Sequence, residues 1–370
     1  MRILHTVESY HPARNGMAEV VRQISENLVL MGHEVTVATS PHPDRESLTI
    51  NGVNIEVFSS MCDYQDFLLR SDYDIVTNFA AQQWATDYML PYLSLISGKL
   101  VFVPTGFSGL NIPEWRKYFE KMPEWMGGYD ACVFPSDTYQ DIQFAREHGI
   151  KNLHIIPNGA SAKEFTAEYP GDIRKELRIP EDHFLILLVG SHTGQKGHAE
   201  AIEIFKRANL PKSTLVIVGE PSEPYCDYNC RFQEFISRNL KVLRLPRDKT
   251  VALYHAADLF LFPSNIECSP IALFECMASK TPFLVTDVGN AREIIKWSGG
   301  GALLPTTKDD IGFSHADIPR SAVFLQEICK SERLLEMMAE SGYQVWQKRF
   351  TWEHIAGQYE SLYLSLLESP

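Results

Sequence analysis

The chain has 370 residues, is 45% hydrophobic and 22% charged, and carries a formal net charge of -13. That length suits two domains of ordinary size, and the composition is that of an ordered globular protein rather than a disordered one. The excess of acid excludes nucleic acid as the main partner, because such binding needs clustered Lys and Arg to displace counterions from phosphates.

In chain order, the start enters an apolar strand at once, without the charged leader and small-residue cleavage site of a signal peptide, so a cytoplasmic location is expected. Strands rich in β-branched residues are predicted at 2–8, 34–39, 53–58, 74–79, 99–104, 130–134 and 153–156. Helices fill the gaps, among them 18–31, which Gly32 is placed to stop. After Pro157-Asn158-Gly159 and a polar stretch to about residue 180, the alternation restarts with strands at 183–189, 214–218, 241–245, 258–262 and 282–286. The reading is α/β with parallel βαβ units in two domains, 1–160 and 161–349, followed by a terminal helix at 350–370 whose start signal is Thr351.

Seven scattered cysteines read as reduced thiols. Cys226 and Cys230 form a C-x-x-x-C in a Tyr-rich stretch, read as loop thiols because no second Cys/His pair stands nearby in sequence to complete a tetrahedral zinc site. Asp72-Tyr-Asp74 offers a carboxylate pair, more simply read as a polar strand entrance. No metal ligands are expected. Of the histidines, His11, in the loop after the first strand, is placed near an acceptor, whereas His33 in Gly-His-Glu-Val helps end a helix.

The most informative stretch follows the strand at 258–262. Strand ends of this kind are where open α/β sheets bind ligands. Ser269 suits a helix cap and Pro270 the first turn, so the N–H groups of Ile271 and Ala272 would point at a ligand, with a diphosphate as the natural occupant. Glu267 precedes that helix and Glu275 lies one to two turns into it, so two carboxylates can address different parts of one bound molecule. The same spacing also fits an ordinary helix with one Glu near its start and another on its face.

Glu267, seven residues, Glu275, then Met277-Ala-Ser-Lys-Thr-Pro282, Thr286-Asp-Val-Gly289 and Glu293, resembles the donor-site signature of the retaining glycosyltransferases of family four, the glycosyl transferases group 1, which have the GT-B fold. Asn15-Gly16, Gly32-His33-Glu34-Val35, Pro157-Asn158-Gly159 with Phe165, and Lys196-Gly197 extend the resemblance over most of the chain. It implies two Rossmann-like domains facing across a cleft, an amino-terminal acceptor domain and a carboxy-terminal donor domain, with the last helix packing back on the first domain. It implies transfer of a sugar from a UDP- or GDP-sugar to a hydroxyl of a glycan or lipid-linked precursor, as in polysaccharide biosynthesis. Configuration would be retained, with neither metal nor cofactor. Glu275 would hold ribose hydroxyls, Glu267 would face the donor sugar, and Lys196 would neutralise the leaving diphosphate. The amides around Ser269, Pro270, Ile271 and Ala272 would meet sugar and phosphate, and Gly16 would let backbone approach the donor closely.

Two positions depart from the family pattern. Thr105 stands where the family commonly presents a His, and Ser191-His192 where it tends to place an Arg that pairs with the Lys. A protonated His192 would restore part of that charge. These departures keep two rivals in view, a nucleotide-sugar epimerase of similar layout and a non-catalytic subunit that binds sugar nucleotides or glycans. Finally, residues 112–128 interleave Trp115, Tyr118, Phe119, Met122, Trp125 and Met126 with Arg116, Lys117 and Lys121. Such a segment suits peripheral contact with the inner face of a membrane, or a helix packed on its own domain.

Overall fold

The structure is a computed structural model in which residues 1–368 are described. It divides into two compact units. One runs from Met1 to Asn158 and takes back the chain from Trp352 onward; the other is Gly159–Thr351.

The first unit is built on an eight-stranded sheet. Its strands are β1 (Arg2–Thr6), β2 (Glu34–Thr39), β3 (Thr49–Ile50), β4 (Val53–Val57), β5 (Ile75–Phe79), β6 (Lys99–Val103), β7 (Ala131–Phe134) and β8 (Leu153–Ile155), in the order β3-β4-β2-β1-β5-β6-β7-β8. All pairings are parallel except the short β3–β4 hairpin at one edge. The central strands are buried on both faces: all five residues of β5, Thr77 and Asn78 included, and all four of β7 are buried.

The helix Gly16–Leu30 starts two residues before its expected beginning because the Asn15 side chain caps it, accepting from the Ala18 N–H at 2.9 Å. The terminal helix Trp352–Glu368 packs against it. His33 is part of that anchor, its Nε2 2.7 Å from Glu360 Oε1. Deeper in, His5 lies between the Ser25 hydroxyl at 2.8 Å and the Tyr363 hydroxyl at 3.3 Å, and burial pushes its pKa down to about 3.

Residues 112–128 take the second of their two expected forms, a helix packed on its own domain. The segment forms a short turn and the helix Arg116–Met126, whose Phe119, Met122 and Met126 are buried in the unit's own core, with Trp115, Tyr118 and Trp125 packed against it. The Tyr118 hydroxyl donates to Asp87 at 2.8 Å. What the helix turns outward is Arg116, Lys117, Glu120, Lys121 and Glu124, so its apolar side is already covered by protein. No described helix is long and apolar enough to cross a membrane.

The second unit holds a six-stranded, wholly parallel sheet. Its strands are β9 (Phe184–Val189), β10 (Ser213–Val218), β11 (Leu240–Leu243), β12 (Leu259–Phe262), β13 (Phe283–Val285) and β14 (Gly301–Leu303). Their order, β11-β10-β9-β12-β13-β14, is 3-2-1-4-5-6 in this unit's own count, the Rossmann arrangement. A small antiparallel pair, β15 (Thr306–Lys308) and β16 (Ser314–Ala316), stands apart. The strand order reverses between β9 and β12, so the loops leaving these two strands flank the crevice where such sheets bind ligands.

Candidate active site

Those two loops carry Lys196 and Glu267, and the structure brings them together. The Lys196 Nζ donates to Glu267 Oε1 at 2.6 Å, and the Ser264 hydroxyl donates to the same oxygen at 2.8 Å. The backbone is stitched as well, since the Asn265 N–H donates to the Gln195 carbonyl at 2.8 Å. Lys196 keeps 27% of its side-chain surface and Glu267 10%, so the pair is sheltered while the ammonium remains accessible.

Glycine makes this closeness attainable. Gly197, at φ +68, caps the helix His198–Ala208, and a Cβ there would lie 2.0 Å from the Pro263 carbonyl oxygen. Gly289 plays the same part for the other loop: at φ +53, its Cβ would stand 2.4 Å from the Cys268 carbonyl oxygen and 2.9 Å from that of Glu267. The glycine of Thr286-Asp-Val-Gly289 thus lets one backbone press against the loop that presents Glu267.

The helix after that loop is Ile271–Ala278. Pro270 is its cap residue, with extended backbone and no side-chain capping bond, so the expected cap at Ser269 moves on by one residue. The N–H groups of Ile271 and Ala272 belong to the first turn, where an α-helix supplies no internal acceptor, and both residues are partly exposed. They offer the positive end of the helix.

Glu275, one turn on, is only 5% exposed. Its Oε1 is met at 2.6 Å by Arg247 Nη2, which also reaches Glu164 Oε2 at 2.7 Å. The guanidinium lies 5.5 Å from the centre of the Phe165 ring. Arg247 is a site residue that sequence reasoning missed. It is the first residue of the helix Arg247–Ala256 and sits in no motif, so its only signal is the Pro246 before it, which marks a helix start.

Ser191, just past β9, is half-buried. The role expected of His192, a protonated imidazole at the phosphates, is corrected: His192 is fully buried, its ring stacked on His198 with centroids 4.4 Å apart and its Nδ1 3.6 Å from Cys226 Sγ. Nor are Cys226 and Cys230 loop thiols, because both lie on the helix Pro224–Ile236. Asp72 and Asp74 sit at the start of β5, where Asp74 accepts from the Arg2 N–H at 2.7 Å, so the polar strand entrance is the correct reading.

In the first unit, Gly16 is the exposed first residue of its helix, and His11 is exposed in the loop after β1. Thr105 follows β6 in a left-handed conformation at φ +57, with Gly106 at +113 and Phe107 at +47. For a β-branched residue this is a strained backbone, and strain of this kind gathers at functional sites. Its support is visible. The Gln140 side-chain amide donates to the Gly106 and Phe107 carbonyls, each at 2.8 Å, and the Asp141 carboxyl accepts from the Gly106 N–H.

Asp141 is fully buried, and burial pushes its pKa up to about 7, against the backbone N–H groups that favour the anion. A folded-state value above the unfolded one means that the native state holds the proton more tightly. Its contribution is therefore fully present below about pH 4 and is lost as pH rises to about 7. The difference in melting temperature between Asp141→Asn and the parent should accordingly shift in favour of the variant from pH 4.5 to 7.5. A pH-independent difference would show that Asp141 titrates normally.

Residues 171–315 match the model of the family described as Glycosyl transferases group 1. An uncharacterized glycosyltransferase from Methanocaldococcus jannaschii is 24% identical over 100% of this chain and 99% of its own. Among solved structures, sucrose-phosphate synthase from Thermosynechococcus elongatus superposes with a TM-score of 0.82 at 19% identity, covering 100% of both chains. HepE from Anabaena, solved in complex with UDP-glucose, does so with a TM-score of 0.79 at 16% identity, covering 99% of this chain and 100% of that one. These likenesses show the GT-B fold of two Rossmann-like domains.

Proposed function

We propose that this chain, whose residues 171–315 belong to the group 1 glycosyl transferases, moves a sugar from a nucleotide diphosphate donor to a hydroxyl of a glycan or glycolipid precursor, with configuration retained and no metal in the chemistry. The observation that carries this reading is the Lys196–Glu267 pair at the strand-order reversal, directly before the N-terminus of the helix Ile271–Ala278.

A diphosphate entering here displaces Glu267 as the partner of Lys196. As the bond between sugar and phosphate breaks, negative charge grows on the leaving oxygen, and fixed donors must meet it. Lys196 and the amides of Ile271 and Ala272 supply that field, which is why no metal is invoked. Glu267, released from Lys196, turns its oxygens to the sugar hydroxyls. Glu275 accepts from the ribose hydroxyls while Arg247 holds its carboxylate in place. Ser191 contributes a hydroxyl but no charge, so Lys196 carries a larger share of the leaving group's stabilisation than it would beside an Arg. A uridine donor is favoured by the UDP-glucose held by the Anabaena relative of this fold.

The test is a thermal-shift screen of UDP, GDP, ADP and their common sugar conjugates. One base should stabilise the protein, and Glu275→Ala should weaken that nucleotide about tenfold or more, the loss of a charge-assisted hydrogen bond. Well-folded protein that responds to none of them would overturn the reading.

A further inference from the structure

The chain contains a second cluster of chemistry-bearing side chains that the transfer reaction does not use. Among the described residues, His192, Cys226 and Cys230 are the group whose ligand atoms all lie within 4.8 Å of one another. The two cysteines sit four apart on the helix Pro224–Ile236 and so share a face. His192 reaches them from the loop after β9, where its backbone is pinned on both sides: its N–H donates to the Glu220 carbonyl at 2.9 Å, and its carbonyl accepts from the Glu223 N–H at 2.6 Å. Its Nδ1 stands 3.6 Å from Cys226 Sγ. In a tetrahedral zinc site, bonds of about 2.3 Å to sulfur and about 2.05 Å to nitrogen place those two atoms about 3.6 Å apart.

His198 stands beside these three residues. It is 2% exposed and stacks on His192, and its Nε2 lies 3.1 Å from the Gly190 carbonyl oxygen. That contact places the proton on Nε2 and leaves the Nδ1 lone pair available; Nδ1 is buried with no hydrogen-bond partner. Beyond the ligands, Asp227 Oδ1 lies 3.9 Å from His192 Nε2, the carboxylate–imidazole relation found behind metal-bound histidines. Both of those atoms are likewise buried and without a hydrogen bond. The other oxygen of Asp227 accepts from Arg231 at 3.1 Å and Arg244 at 3.3 Å. The two facing orphaned atoms, His192 Nε2 and Asp227 Oδ1, need an explanation.

We propose that His192, Cys226 and Cys230 hold a Zn2+ ion that clamps the loop carrying Lys196 onto the helix Pro224–Ile236. One imidazole and two thiolates suit zinc, and the C-x3-C spacing falls within the range of zinc sites. Held by one loop and one helix, the ion has a structural task and takes no part in sugar transfer. Its task is to hold residues 190–198 in place where the loop lacks a second fixed cation. The ion orients His192 against Asp227.

The experiment is metal analysis of the untagged full chain, purified without chelator from zinc-supplemented culture. About one zinc per chain is expected. Replacement by Co2+ should give the visible bands of a tetrahedral ion together with thiolate-to-cobalt charge transfer. Cys230→Ser and His192→Gln should lose the metal, and Asp227→Asn should weaken zinc about 10- to 100-fold. Folded parent protein that holds no zinc and binds Co2+ without thiolate bands would overturn the proposal, as would undiminished zinc in folded Cys230→Ser. All of these readouts are independent of any sugar donor.

Discussion

Replacing Lys196 by alanine is expected to lower turnover of the preferred donor by about a hundred- to a thousandfold, the usual cost of removing one preorganised donor from a developing oxyanion. The size follows from the neighbourhood. Ser191 brings no charge to the end of β9 and His192 is buried away from it, so the ammonium and the first turn of the helix Ile271–Ala278 carry the leaving group between them. Steady-state kinetics with the nucleotide sugar chosen by the thermal-shift screen would measure the effect. A fall in kcat with KM little changed marks Lys196 as acting on the transition state, whereas a rise in KM alone marks a ground-state contact. An unchanged kcat/KM would place the diphosphate elsewhere.

The second large effect is structural. Gly197→Ala should destabilise the second domain by about 3 kcal/mol or more, because it combines left-handed strain of about 1–2 kcal/mol with a Cβ forced against backbone. The clash is with the Pro263 carbonyl at 2.0 Å, directly after β12, which neighbouring strands hold on both sides. A domain of this size should then melt about 6–12 °C lower. Gly194→Ala provides the comparison, since Gly194 has φ +77 but no atom within 4 Å of its would-be Cβ, so only the strain remains. Equal effects from the two substitutions would mean that the loop after β12 yields easily, and that Lys196 and Glu267 are less firmly placed than their 2.6 Å contact indicates.

The strands were legible because parallel sheets bury both faces. Runs such as Phe184–Val189 and Leu259–Phe262 have no polar residue to confuse the pattern, and observed ends lie within a residue or two of those expected. The short β14, β15 and β16 were missed, each three residues long and too brief for a periodic signal. The amphipathic stretch 112–128 shows the limit of composition. Its aromatic and basic residues are equally compatible with a membrane face and with a core, and only the packing of Phe119, Met122 and Met126 decides.

Within the candidate site, local order was enough wherever one short segment carries the information. Glu267, Pro270 and Glu275 are placed by a strand end running into a helix, and Gly197 and Gly289 by backbone conformations that only glycine adopts without strain. Contacts between segments distant in sequence needed the fold. Arg247 meets Glu275 across 28 residues, and Cys226 meets His192 across 34, through loops and helices that carry no mark of each other. The absence of a neighbouring Cys/His pair was judged along the chain, whereas a metal ligand set is chosen by distance in space. Propensity and hydrophobic period act over a few residues and can be read from a single sequence. Side-chain pairing across a sheet depends on which loops the 3-2-1-4-5-6 strand order brings to the same end, and that is decided only once the tertiary structure has formed.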